Sequence, residues 1–260
     1  VKVALVLCLA MDLSERRTVR QLVPVGLFAV ACVGLIVLQK DLGAVLICFL
    51  TCLTVYYVAT SNWMLALAGL VCAAAGSTVL YHLFDHVRTR VAIWQNPWDS
   101  PQGSGYQIIQ SLISIASGGL TGMGLGLGSP DIVPVAESDF IFSAICEEFG
   151  ILVGLILILL YVILFARGLL LAMRARSSFH ALLAVGAVTS LALQTFMIVG
   201  GVIKMIPLTG VTLPFVSYGG SSMLSSMLML GILQGVSISV GEQDESQWRM
   251  ARRQEEVPEL

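Results

Sequence analysis

Six stretches of this chain are apolar for the length of a membrane-crossing helix, and that repetition limits its fold more than any other feature. They run Leu22–Leu38, Gly43–Ala59, Met64–Leu83, Asp139–Ala166, Ala181–Ile203 and Ser221–Val240. A helix needs roughly 20 apolar residues to cross the hydrocarbon layer. A membrane barrel would instead show short alternating strands. Charged residues make up only 12% of the chain and mean hydropathy is +0.90. A soluble domain carries about a quarter charged residues, so the expectation is an all-α, polytopic transmembrane helix bundle. The opening run, Val1–Ala10, is too short to span. It reads as the end of a helix that begins upstream, which makes about seven membrane segments and an N-terminally truncated chain.

The six cysteines all lie in or beside apolar runs, without CxxC or Cys/His spacing. They read as small buried hydrophobes, with neither a disulfide nor a bound metal expected.

Charge then orients the bundle. Arg16, Arg17, Arg20, Arg167, Arg174, Arg176, Arg249, Arg252 and Arg253 fall on one side, and Lys40, Arg88, Arg90 and Lys204 on the other. The side richer in arginine is the cytoplasm. A transmembrane domain over residues 1–240 is therefore followed by a mobile, charged cytoplasmic tail, 241–260. Three polar segments face outward together: the turn at Lys40–Asp41, the loop Lys204–Gly220 and the long segment 84–138. That last segment is rich in Gly, Pro, Asn, Gln and Trp. Loops this long are usually functional or disordered, and the aromatic and amide content argues for function. Within it, Tyr106–Ser117 suits a short amphipathic helix. The glycines that follow, Gly118 to Gly128, permit tight turns or close approach to a ligand.

The stretch ESDFIFSAICEEFG, Glu137 to Gly150, places carboxylates at the mouth of a span. Carboxylates at the hydrocarbon edge are costly and are functional candidates for that reason. On one continuous helix, Glu148 to Arg167 covers about 28 Å, so Glu147 and Glu148 would sit near the outer interface. Asp139 would stand about 12 Å further out, too far from them to act as a paired carboxylate. Taken alone, Asp139 suits a helix N-cap as well as a lone catalytic acid or base. Glu147 and Glu148 suit interfacial solvation or pairing with an outward cation, and Arg88 and Arg90 suit headgroup contact.

Three separated motifs narrow the choice. GYQIIQSLISIASGGLTGMGLGLG (Gly105–Gly128), SDFIFSAICEEFG (Ser138–Gly150) and LTGVTLPFVSYGGSS (Leu208–Ser222), with the turn Asp41-Leu42-Gly43, resemble in order and spacing the SEDS family of shape, elongation, division and sporulation proteins. Members have about ten membrane helices, and Val1–Val240 resembles the end of the fourth to the tenth. The large extracytoplasmic loop, 84–138, lies between the seventh and eighth. Lys40, Val135 and Glu137 stand where many members have Pro, Glu and His.

The resemblance implies an inverting peptidoglycan glycosyltransferase in the bacterial cytoplasmic membrane. It would polymerise lipid II (undecaprenyl-pyrophosphate disaccharide-pentapeptide) at the outer face, beside a class B penicillin-binding protein and without a nucleic-acid partner. Asp139 matches the family's essential aspartate and becomes the expected catalytic base. The leaving pyrophosphate needs positive charge, from Arg88, Arg90, Lys204 and Lys40 or from a divalent cation. Gln107, Gln110 and Tyr218 are expected to bond sugar or peptide groups. No residue is assigned as a metal ligand. A lipid II flippase, or a scaffold for the penicillin-binding protein, are the competing expectations.

Overall fold

The computed structural model describes residues 1–15, 19–39, 41–129 and 132–255. These residues are helical or irregular, with no strand among them. In order, the helices are α1 (Lys2–Ser14), α2 (Val19–Leu38), α3 (Leu42–Thr60), α4 (Trp63–Leu83), α5 (Asp85–Gln95), α6 (Tyr106–Gly118), α7 (Ile141–Phe149), α8 (Ile151–Arg174), α9 (Ser178–Val202) and α10 (Gly220–Glu255). A short 3₁₀ turn covers Pro97–Asp99. Among the described residues, five helices are long and apolar enough to cross a membrane: α3, α4, α8, α9 and the first 23 residues of α10.

Polar residues punctuate the spans as local chemistry requires. Asp41 caps α3, its carboxylate accepting the Ala44 amide at 2.9 Å. Asn62 caps α4 by accepting from the Met64 and Leu65 amides. These contacts satisfy amides that a helix N-terminus otherwise leaves unpaired.

The bundle is built around α9, which is buried along most of its length and packs against α1, α3, α8 and α10. Its buried face is rich in small residues, including Ala184, Gly186, Ala187 and Ser190. In a membrane, small residues let backbones approach and gain van der Waals contact. By contrast, α4 buries none of its residues and presents a continuous apolar surface. Two apolar clusters result. One joins α1 to α9 and α10 through Leu5, Val6, Leu9, Val188, Met229 and Val236. The other, at the opposite end, gathers Ile108, Phe140, Phe142, Cys146, Tyr161, Ile198 and Leu213. The second cluster is the floor on which the segments 84–138 and 204–220 rest.

One expectation changes. The stretch Asp139–Ala166 is not one helix: it breaks at Gly150 (φ 86°, ψ 165°) into α7 and α8. The long segment after α4 holds α5, the 3₁₀ turn and α6, the last over the stretch expected to form a short helix. The charged stretch after Val240 continues α10 as helix to Glu255.

Candidate active site

Asp139 sits just before α7, but it does not cap that helix: the N-cap position belongs to Phe140, and α7 has no side-chain cap. Phe140 is buried in the floor, with 1% of its surface exposed, and this pins the backbone at the carboxylate. Two further contacts hold the strand of chain before it. Ser217 Oγ donates to the Ser138 carbonyl at 2.6 Å, and the Tyr218 amide donates to the Glu137 carbonyl at 2.8 Å. Ser217 also accepts the Leu213 amide at 2.7 Å, so its buried hydroxyl ties the α9–α10 loop to the aspartate segment.

Arg90 reaches the same place from α5. Its Nη1 donates to the Thr209 carbonyl at 2.9 Å. Gly210 lies between the two charges. A Cβ built on it would stand 3.6 Å from Arg90 Nη2 and 3.7 Å from Asp139 Oδ2, and its φ is +71°. Only glycine holds that conformation without strain while leaving both groups open to a ligand. Burial pushes the Asp139 carboxyl above its usual range. A hydrogen bond from Ser138 Oγ (3.2 Å) and the Arg90 charge partly oppose that rise.

Asp139 and Arg90 line a cleft of about 520 Å³ with Gln102, Ser104, Tyr106 and Gln107. Arg90 also lines a second, apolar cleft of about 580 Å³ between α3, α4, α5 and α9, walled by Leu46, Phe49, Leu80, Val91 and Phe196. It is the sole charged residue in that lining. One guanidinium therefore stands where a polar cleft meets a lipid-like one.

The remaining sequence candidates fall elsewhere. Arg88, two residues from Arg90, turns back to the end of α4. It donates to the Tyr81 and His82 carbonyls at 3.1 and 2.7 Å and pairs with Asp85 at 3.5 Å. Lys204 Nζ donates to the Gln95 carbonyl at 3.4 Å, while the Lys204 carbonyl accepts from Trp94 Nε1 at 3.1 Å. It therefore braces α5 against the α9–α10 loop. Gln107 joins the cleft, but Gln110, one turn on, is not in its lining. The Tyr218 ring is 78% exposed and outside the cleft. Lys40 lies outside the described residues, as do Arg16 and Arg17.

Glu147 and Glu148 have a separate task. Glu147 is buried, and its Oε1 accepts the Ser129 amide at 3.0 Å; Glu148 Oε1 accepts the Gly126 amide at 3.2 Å. Their carbonyls accept from the Met123 and Gly124 amides. The glycine run thus wraps the end of α7 instead of approaching a ligand. At Gly122 (φ +82°) an added Cβ would stand 2.2 Å from the Glu148 carbonyl oxygen, which no side chain tolerates. Among the described residues, no three His, Cys, Asp or Glu side chains converge as a metal-binding group. Asp139 is the single carboxylate in the cleft lining.

Ser217 and Gly210 are the site residues that sequence reading missed. Both lie within LTGVTLPFVSYGGSS, where the mix of glycine, proline and serine marked a built loop.

Comparison with known proteins identifies the family. A family model described as "Cell cycle protein", covering FtsW, RodA and SpoVE, matches residues 1–242. The peptidoglycan glycosyltransferase RodA of Mycobacterium tuberculosis is 50% identical over 219 residues, covering 84% of this chain and 46% of that protein. Stage V sporulation protein E of Bacillus subtilis is 36% identical over 247 residues, 91% of this chain and 66% of that protein. Among solved structures, a chain from a peptidoglycan synthase complex aligns with a TM-score of 0.75 at 30% identity, covering 92% of this chain and 68% of that one. The rod shape determining protein RodA of Thermus thermophilus aligns with a TM-score of 0.58 at 28% identity, covering 89% and 62%. The chain spans about half the length of the mycobacterial relatives it matches. With its apolar spans and these matches, the chain belongs to the FtsW/RodA/SpoVE family of multi-pass cytoplasmic-membrane proteins.

Proposed function

We propose that this chain is the catalytic portion of a peptidoglycan glycosyltransferase that polymerises lipid II at the outer face of the membrane. The observation that carries the reading is the position of Arg90, which lines both the polar cleft of Asp139 and the apolar cleft beside α3, α4 and α9. A lipid-linked sugar diphosphate has the same order of parts: polyprenyl chain, charged diphosphate, sugar.

In this reading the prenyl chain lies along the apolar cleft and the pyrophosphate meets Arg90. The 4-hydroxyl of the acceptor sugar attacks C1 of the donor sugar. The new C1–O bond forms as the C1–O bond to pyrophosphate breaks, with inversion. Asp139 accepts the hydroxyl proton, and the pyrophosphate leaves with the electron pair, its charge met by the guanidinium. A carboxylate whose proton affinity is raised by burial is a better base than an exposed one. Gln107 and Tyr106 line the same cleft and would bond the sugars. The work belongs to cell-wall synthesis in shape, elongation, division or sporulation, with a class B penicillin-binding protein as the cross-linking partner.

The test is lipid II polymerisation by the full-length protein carrying Asp139→Asn. That substitution keeps shape and removes the base, so glycan product should fall by roughly 10²–10⁴-fold with folding intact. Normal polymerisation by the variant would overturn the proposal. Product-free lipid II translocation by the unmodified protein in vesicles would point to transport instead.

A further inference from the structure

The opposite end of the bundle holds a further cleft that the reaction does not use. It lies between α8 and α10 and has a volume of about 420 Å³. Leu164 and Leu230 line it toward the membrane centre, Arg167 and Arg174 lie on the α8 side, and Gln234 and Ser237 on the α10 side. Arg167 and Arg174 are seven residues apart, two turns of one helix, and so share a face.

Depth makes the pair informative. With Ile151 at the outer boundary, Arg167 lies roughly 24 Å along α8, still inside a hydrocarbon layer of about 30 Å. Arg174, at roughly 34 Å, is just past it. A cation at the first depth needs a counter-charge or must stretch to the headgroups. Among the described residues no carboxylate lines the cleft, and none pairs with either arginine. Glu242, beside the lining residue Gly241, is exposed and outside the lining.

We infer that this cleft binds the phosphate headgroup of an anionic phospholipid of the cytoplasmic leaflet, with Arg167 and Arg174 on the phosphate and the leucines along the acyl chains. Two guanidinium groups present forked donors to phosphate oxygens. Gln234 and Ser237 add neutral donors suited to a glycerol headgroup. Basic clefts between helices on the cytoplasmic side have the chemistry for such lipids. The inference rests on membrane orientation and is independent of the glycosyltransferase reading.

Delipidated full-length protein, incubated with dioleoyl phosphatidylglycerol or dioleoyl phosphatidylcholine, would be examined by native mass spectrometry. Phosphatidylglycerol should be retained roughly tenfold better. Arg167→Gln with Arg174→Gln should abolish that preference, and the paired lysine substitutions should keep part of it. Equal retention of the two lipids, or an undiminished preference in the double glutamine variant, would overturn the site. Displacement of the lipid by excess inorganic phosphate would do so too, since the cleft would then be a free-anion site. Should the double variant fail to fold, the unmodified protein still decides. A photoactivatable phosphatidylglycerol should cross-link to segments 164–174 and 230–241, and labelling confined to other segments would sink the idea.

Discussion

Asp139 and Glu147 stand eight residues apart in one short stretch, and the structure treats the two carboxylates in opposite ways. Glu147 is buried against the glycine loop and takes a backbone amide, and its neighbour Glu148 takes another. Asp139 faces a cleft, where a serine hydroxyl bonds its carboxylate and a guanidinium stands across Gly210. Backbone amides are fixed donors that hold a loop in place; a hydroxyl and an arginine leave room for a substrate. Residue type alone does not separate an acid that holds a loop from one that faces a cleft, whereas the source of its hydrogen bonds does.

The largest effect is expected from Asp139→Asn, which should abolish most polymerisation while leaving the melting temperature near that of the parent. A variant that lost activity only in proportion to lost folded protein would erase the contrast with Glu147. Next comes Gly122→Ala, which must clear a backbone oxygen 2.2 Å away in a left-handed conformation. It should destabilise the fold by about 3 kcal/mol or more, measured as a drop in thermal midpoint. Arg90→Gln should reduce turnover and also move the acid limb of the pH–rate profile. A base must be deprotonated to act, and Arg90 lowers the Asp139 pKa that burial raises. Removing it should therefore shift the limb to higher pH, and an unmoved limb would dissociate the two groups. Glu147→Ala should cost about 1–3 kcal/mol by stranding the Ser129 amide, with turnover per folded molecule unchanged. Glu148→Gln should be smallest, within about 0.5 kcal/mol, because the new amide oxygen still accepts from Gly126.

Much of the fold was legible because apolar runs of helical length have one solution in a membrane. The break at Gly150 was hidden, since the stretches on both sides of it suit a helix and a glycine inside a helical pattern does not declare its φ. The arginines show the same limit. Arg88 and Arg90 looked equivalent as neighbours in a loop. Once Asp85–Gln95 is a helix, two residues are separated by about 200° around its axis, so only one can face the cleft. Asp139 itself drew notice from position and resemblance; its fastening by Ser217, 79 residues after Ser138, is long-range and left no local trace.

The break at Gly150 also bears on how the protein tolerates its solvent. A span answers a thicker or thinner bilayer by changing its tilt. Had Asp139 stood at the tip of one rigid rod from α7 through α8, each change of tilt would have swung the carboxylate through an arc like the end of a lever. Instead α7 is a separate strut, packed chiefly against α6 and strapped by the glycine loop. The membrane-spanning length and the height of the Asp139 cleft are thereby uncoupled, so a change in acyl-chain length should reorient α8 while Asp139 keeps its place opposite Arg90.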